Sequence, residues 1–283
     1  MTSALGDRTG SDPSARAQSE PEILEDLAYV YDGSLEGLLC AIFEAYARKE
    51  NPSDVWPEAA AAPRLLQRVS RIDTDTDKAE RVRRGLTSRW GRRCFSAIRK
   101  ASVACGMDAG TAAYRFVRYA MDEHTGRRSP LSNIAHPAVE PLRSVCRSVS
   151  NECERMRQFV RFEHVCSGDA ELWFSKVSPK HAVVPLIMGH FVERFSIQAF
   201  VIYDEAHGVC GIHDGRDWSL AMIDDKEAFE ALIPERSSEE SSIQDAWRRF
   251  YRAVSIDERY NPELRRHFMP KRLWANITEL QGE

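Results

Sequence analysis

The spacing of apolar residues divides the chain into a helical first part, a strand-rich middle and a helical end. LAYVY (27–31) is a short β-prone run; Asp32, Gly33 and Ser34 then turn the chain, and Leu35, Leu38, Leu39, Ile42, Phe43 and Tyr46 recur at helical spacing. Ser34 suits a helix N-cap, and the Asp32, Gly33, Ser34 turn at a helix start is also a candidate anion-binding turn. A Pro- and Ala-rich loop (51–63) precedes a second short strand in LLQRVSRID. A long basic helix follows, with Asp77 and Glu80 in an N-terminal capping pattern and Val82, Leu86, Trp90, Cys94 and Ile98 along one side.

Helical spacing continues over 108–158, interrupted by GRRSPLSNIAHP, and then the period changes to two. QFVRFEHV, ELWFSKV, AFVIYD, GVCGIHD and WSLAMI are five strand-like runs separated by turn signals at SGD, EAHG and DGRD, with a helix in SPKHAVVPLIMGHFVERFS between the second and third. The pattern predicts an α+β fold: an antiparallel sheet of about five strands, ordered strand-strand-helix-strand-strand-strand, with the helix on one face. SSIQDAWRRFYRAV, NPELRRHF and MPKRLWANITEL return to helix, with Asn261 as a cap and Pro262 and Pro270 opening turns. There Leu273, Trp274 and Ile277 are expected to dock inward, leaving Arg265, Arg266, Lys271 and Arg272 outward. The expected organisation is a disordered tail (1–25), a mainly helical N-terminal subdomain (26–140) and an α+β subdomain with the closing helices (141–283).

At 283 residues and 43% hydrophobic content the chain can bury a sizeable core. Its apolar runs are too short to cross a bilayer, and its start lacks the basic stretch and apolar run of a secretory signal. Seven cysteines without a C-x-x-C pair argue against a disulfide framework or zinc ribbon, so a cytoplasmic location is expected. The net charge of −4 conceals segregation: 12 Lys/Arg against 4 Asp/Glu from Arg64 to Lys100, and 8 against 3 from Arg248 to Trp274, balanced by 8 acidic against 2 basic residues from Asp224 to Asp245. The two basic blocks make nucleic acid a candidate partner, although an Arg-rich helix face reads equally as solvated surface. Arg81, Arg84, Arg92, Arg93, Arg161, Arg259, Arg265, Arg266, Lys271 and Arg272 are the candidate phosphate contacts.

Catalytic signatures are absent: there is no G-x-S-x-G, P-loop, dinucleotide fingerprint or three-cysteine cluster cradle, and no cofactor is expected. None of the cysteines stands in a recognisable nucleophile context. Asp204, His207, Cys210, His213, Asp214 and Asp217 lie close in sequence, but strand alternation sends Cys210 and His213 to opposite faces, and no metal site is expected. His190 and Arg194, four apart on a helix, could form a catalytic pocket with Asp204, while a structural histidine at a core margin accounts for His190 as well. Arg161 alternates with Phe162 on an expected strand, which would point the two to opposite faces.

YDGSLEGLLCAIFEAY, FVRFEHV, the run from VVPLIMGHFVERFSIQAFVIYD through the tryptophan strand, and ERYNPELRRHFMPKRLW together resemble one bacterial family. Its members are described as probable DNA metabolism proteins containing a domain of unknown function. Here Leu273 stands before Trp274 where members commonly carry an aromatic residue. The resemblance implies genes beside a radical S-adenosylmethionine (radical SAM) protein of DNA modification or repair, and occasional fusion to a uracil-DNA glycosylase-like domain; it brings no catalytic residues. The expectation is an accessory nucleic-acid-binding protein in DNA repair or modification, with the radical SAM enzyme as partner. An enzyme acting on damaged bases or ends through His190, Arg194 and Asp204 is the alternative, and a protein-interaction module without DNA binding is a third.

Overall fold

The computed structural model describes residues 26–106, 108–167 and 170–281, so the expected tail and part of the SGD turn lie outside the described residues. The first part is built on a three-stranded parallel sheet ordered β2-β1-β3: β1 (Leu27–Tyr31) pairs with β2 (Asp54–Pro57) and β3 (Arg68–Arg71). All five residues of β1 are buried, as the unbroken apolar run LAYVY requires of a central parallel strand. The region read as a Pro- and Ala-rich loop therefore contributes β2, an edge strand whose terminal Pro57 is tolerated because no further strand pairs with it.

Between β1 and β2, α1 (Leu35–Ala47) starts at Ser34, whose Oγ accepts the Gly37 N–H at 2.8 Å. The long helix α2 (Thr76–Ser102) is capped by Asp75, two residues before the expected position, and breaks at Gly91, which adopts φ +80°. Only glycine takes that conformation without strain. α3 (Asp108–Arg118) packs nearly all its small residues inward, and α4 (Glu140–Phe159) spans two apolar clusters: Leu142 belongs to the first, Val149, Cys153 and Met156 to the second.

The second sheet has five strands in the order β4-β5-β6-β7-β8: β4 (Glu163–Ser167), β5 (Ala170–Val177), β6 (Phe200–Asp204), β7 (Val209–His213) and β8 (Trp218–Met222). It is mixed rather than antiparallel, because β5 and β6 run parallel, Trp173 opposite Phe200 and Val177 opposite Asp204. The cause is the connection. α5 (Val184–Arg194) carries the chain back across one face before β6 begins, and such a helical crossover joins strands of like direction, whereas the tight turns elsewhere give antiparallel pairs.

α5 buries Val184, Ile187, Met188 and Phe191 on that face, against Phe200, Ile202 and Val209. On the other face Phe229 of α6 (Lys226–Ala231) tilts over Tyr203 at 4.7 Å. α7 (Ser238–Val254), α8 (Pro262–Phe268) and two short 3-10 turns (Lys271–Asn276, Thr278–Leu280) close the chain, and Leu273, Ile277 and Leu280 are buried in the second cluster. Asn261 caps α8 as expected. Arg272 is exposed as expected but not free: its Nη2 donates to both oxygens of the buried Glu152 carboxylate, at 2.5 and 2.7 Å. No described helix is long and apolar enough to cross a membrane.

Candidate nucleic-acid interface

Where α4 ends and β4 begins, the chain passes the C-terminal turn of α5, and the two segments enclose a cleft of 520 Å³. Arg157, Arg161 and Arg194 line it with Phe162, Trp173 and Phe195, and no lining residue is acidic. Phe162 anchors the aromatic wall, its ring meeting Phe191, Phe195 and Phe200 edge-on at 5.2–5.5 Å. Such T-shaped contacts fix ring planes and leave a firm apolar surface.

Each guanidinium retains capacity for an anion. Arg161 donates to the Gln158 and Val160 carbonyls at 3.3 Å and lies 3.8 Å from Glu279, a long and weak pairing. Arg157 binds Glu154 through Nη1, and its buried Nε has no hydrogen-bond partner among the described residues. Arg194 is exposed, lies over the Phe195 ring at 5.7 Å, and has no carboxylate partner among the described residues. Three positive charges around an apolar wall give the cleft a positive potential. Among the described residues the lining contains no cysteine, histidine, aspartate or glutamate.

Arg161 and Phe162 both line this cleft, in place of the opposed faces expected of a strand, because they precede β4 and belong to the connection. His190 lies one helical turn before Arg194, exposed and edge-on to Phe191 at 5.1 Å, outside the cleft lining. Asp204 does not join them. It is buried at the far end of β6, and Phe200, which lines the cleft, opens the same strand. Four strand steps of about 3.3 Å separate those ends.

The expected anion turn is internally satisfied. Asp32 Oδ1 accepts from the Ser34 N–H and hydroxyl at 2.9 and 2.6 Å, and its Oδ2 accepts from Thr74 at 2.7 Å, so a carboxylate already sits where an anion would bind. Burial works to raise the Asp32 pKa, but the bonds from Ser34 and Thr74 outweigh it and hold the carboxyl below its usual range. Among His207, Cys210, His213, Asp214 and Asp217, Asp214 caps its own turn through the Arg216 and Asp217 amides. No described cluster of three or more His, Cys, Asp or Glu is placed to hold a metal ion.

The first basic block is partly neutralised. Arg64, Arg68, Arg71, Lys78, Arg83 and Arg84 pair with carboxylates, and Arg81 lies over the Phe43 ring at 5.0 Å. Beyond Gly91 the situation changes: Arg92 and Arg93 are exposed and form no ion pair among the described residues. The loop carrying Arg127 and Arg128 is tied to this half of α2 by Cys94 and Ser129, 3.5 Å apart, and to α4 by the Arg143 bond to the Leu131 carbonyl at 3.2 Å. Arg92, Arg93, Arg127, Arg128 and Arg143 therefore come from adjoining segments, and sequence distance hid the last three.

In the second block Arg272 is consumed by Glu152, Arg266 donates to the Pro262 carbonyl at 3.1 Å, and Lys271 and Arg265 lie over the Trp274 ring. Trp274 is half-buried and bonded through Nε1 to the Met269 carbonyl. Arg259 lines a separate groove beside Tyr260 and Phe268. Lys100 bonds Ser150 and Arg272 bonds Glu152. Two residues apart on a helix is about 200° around its axis. Lys100 and Arg272 thus meet α4 on different sides.

Fold and cleft together define an α+β protein built on a mixed five-stranded sheet, with an arginine-ringed aromatic cleft at one end of its central strand. Residues 107–279, more than half of the chain, match the family described as a domain of unknown function, DUF4130, and the protein belongs to that family. No curated protein matches the chain.

Proposed function

We propose that the protein binds nucleic acid, seating one unstacked nucleotide of a single-stranded or distorted region in the cleft. The observation that carries this reading is three guanidiniums around an aromatic wall with no acidic residue in the lining. The base would rest on Phe162, Phe195 and Trp173, and the phosphates on Arg157, Arg161 and Arg194. The exposed arginines of the second half of α2, the 127–128 loop and α4 offer a further contact for the backbone. Because no cysteine, histidine, aspartate or glutamate among the described residues lines the cleft, an accessory role in DNA repair or modification fits better than base or end processing by His190, Arg194 and Asp204. The family resemblance supports a radical SAM enzyme as the partner that would carry the reaction.

The test is fluorescence anisotropy with a labelled single-stranded oligonucleotide and a duplex bearing a bulged base. Three phosphate contacts to a single strand predict a salt slope near −2, a loss of about 20-fold in affinity between 50 and 200 mM salt. Replacing Arg161 and Arg194 together by Ala should flatten the slope to roughly −0.7. Absence of binding at low salt, or an unchanged slope in a folded double variant, would remove the proposal.

A further inference from the structure

We propose that Cys105 is a second, independent site: the nucleophile of a Cys105–His207–Asp204 triad that takes small polar acyl compounds, esters or thioesters. Cys105 lies in the short connection between α2 and α3, and its exposed Sγ is 3.0 Å from His207 Nε2. His207 Nδ1 is 2.7 Å from Asp204 Oδ2, and Asp204 is fully buried. The other oxygen of that carboxylate accepts the Ala206 and His207 amides at 3.0 and 3.1 Å. A carboxylate so fixed keeps the imidazole Nδ1 protonated and aims Nε2 at the sulfur, the base–orienter arrangement of cysteine and serine nucleophiles on unrelated folds.

The thiol is held as firmly as the base. The Cys105 N–H donates to His181 Nδ1 at 3.1 Å, and buried His181 is bonded through Nε2 to Ser148 of α4 at 2.8 Å. Ala182 N–H donates to the Val103 carbonyl, which ties the same connection to the segment before α5. The thiol pKa is pushed down to about 6 by His181 and His207, and that of His207 is raised to about 10 by Asp204 and Cys105. Between those values the pair is thiolate and imidazolium. The other charged groups facing it are Asp108 and Lys180, which share its cavity, and Lys226, whose Nζ donates to the Glu205 and Ala206 carbonyls.

The cavity beside Cys105 measures 230 Å³ and is walled by Ser144, Ser148, Asp108 and Lys180, which limits the acyl group to a few polar atoms. In the reaction the Cys105 sulfur attacks the carbonyl carbon and forms an S–C bond. The bond to the leaving alcohol or thiol breaks, and the His207 Nε2 proton passes to the leaving group. Water then gives its proton back to His207, adds to the thioester carbon and releases the acid and the thiolate. Lys180 can carry part of the oxyanion charge in each step.

p-Nitrophenyl acetate and iodoacetamide test the site on the full chain, with Cys166, the other exposed described cysteine, as internal reference. At pH 6 about half of Cys105 would be thiolate against under 1% of an ordinary thiol; allowing for the weaker nucleophile, alkylation about 10-fold faster than at Cys166 is expected. The ester should give a stoichiometric p-nitrophenolate burst with the acetyl group on Cys105. The burst should vanish in Cys105→Ser, an exposed change that leaves thermal melting intact, and slow at least 10-fold in His207→Gln. Its rate should rise through about pH 6 and fall toward about pH 10. A burst that survives Cys105→Ser, an acetyl group on another residue, or Cys105 alkylation no faster than Cys166 at pH 6 would overturn the triad.

Discussion

The bond between Arg272 and Glu152 permits a quantitative test of how the closing segment is held. Glu152 is 1% exposed on α4 and accepts from Arg272, from the Lys180 amide at 2.7 Å, and from Arg155 at 3.3 Å. Burial alone would raise its pKa, but the Arg272 and Lys180 bonds outweigh it and hold the carboxyl below the ordinary glutamate range. Arg272→Met removes the guanidinium and strands a buried carboxylate. Breaking a buried pair from one side costs about 3–5 kcal/mol. Arg155 remains within reach and the Arg272 side chain is 33% exposed, which places the expected loss at the lower end, about 3 kcal/mol. Leu273, Ile277 and Leu280 stay buried and contribute roughly 1.5–3 kcal/mol each, so the segment should remain docked while the whole fold weakens.

In calorimetry or thermal circular dichroism at pH 7, about 3 kcal/mol corresponds to a lower Tm by about 6–10 °C. The pH dependence supplies the stricter check. Because the folded-state pKa of Glu152 is depressed, its contribution is complete above the unfolded glutamate value of about 4.3 and disappears as pH falls through the folded value. The difference between wild type and Arg272→Met should therefore be full at pH 7 and shrink in acid. A Tm change below about 2 °C at pH 7, or one that persists unchanged in acid, would refute the account of Glu152 as a charge that Arg272 neutralises.

Two smaller changes probe the packing around each sheet. Gly211 on β7 faces α5 so closely that an added methyl would press into Met188 Sδ and come within 2.9 Å of Val184 Cγ1; Gly211→Ala should cost about 1–3 kcal/mol in urea unfolding, and a neutral result would mean α5 stands further from the sheet. Ser34→Ala should cost about 1 kcal/mol by removing the α1 cap, Ser34→Gly much less, and neither should alter phosphate or oligonucleotide affinity, since Asp32 already fills the turn.

Much of the second sheet was legible because its strands alternate and are bounded by Gly- and Asp-rich turns: runs such as AFVIYD and GVCGIHD correspond to β6 and β7. Strand direction was harder. The helix of SPKHAVVPLIMGHFVERFS was visible, but not that it returns the chain for parallel pairing of β5 with β6. DVWP looked like loop because four residues with a proline carry almost no period; only the free edge of β1 makes them a strand. Arg161 and Arg194 were identifiable as candidates from their neighbours, whereas Arg157 and Gln198 join the cleft through tertiary contact alone. The Cys105–His207 pairing joins residues 102 positions apart, which no local pattern can reveal.

Strand β6 has a cleft residue, Phe200, at one end and the buried carboxylate that steadies His207, Asp204, at the other. It works as a shared beam. Damage at its midpoint, for example at Ile202, which is fully enclosed, would disturb the proposed nucleotide seating and the proposed thiol chemistry at once. Joint loss in such a variant reports a common support and carries no information about signalling between the two ends; only lesions confined to one end can show whether occupancy of one is felt at the other.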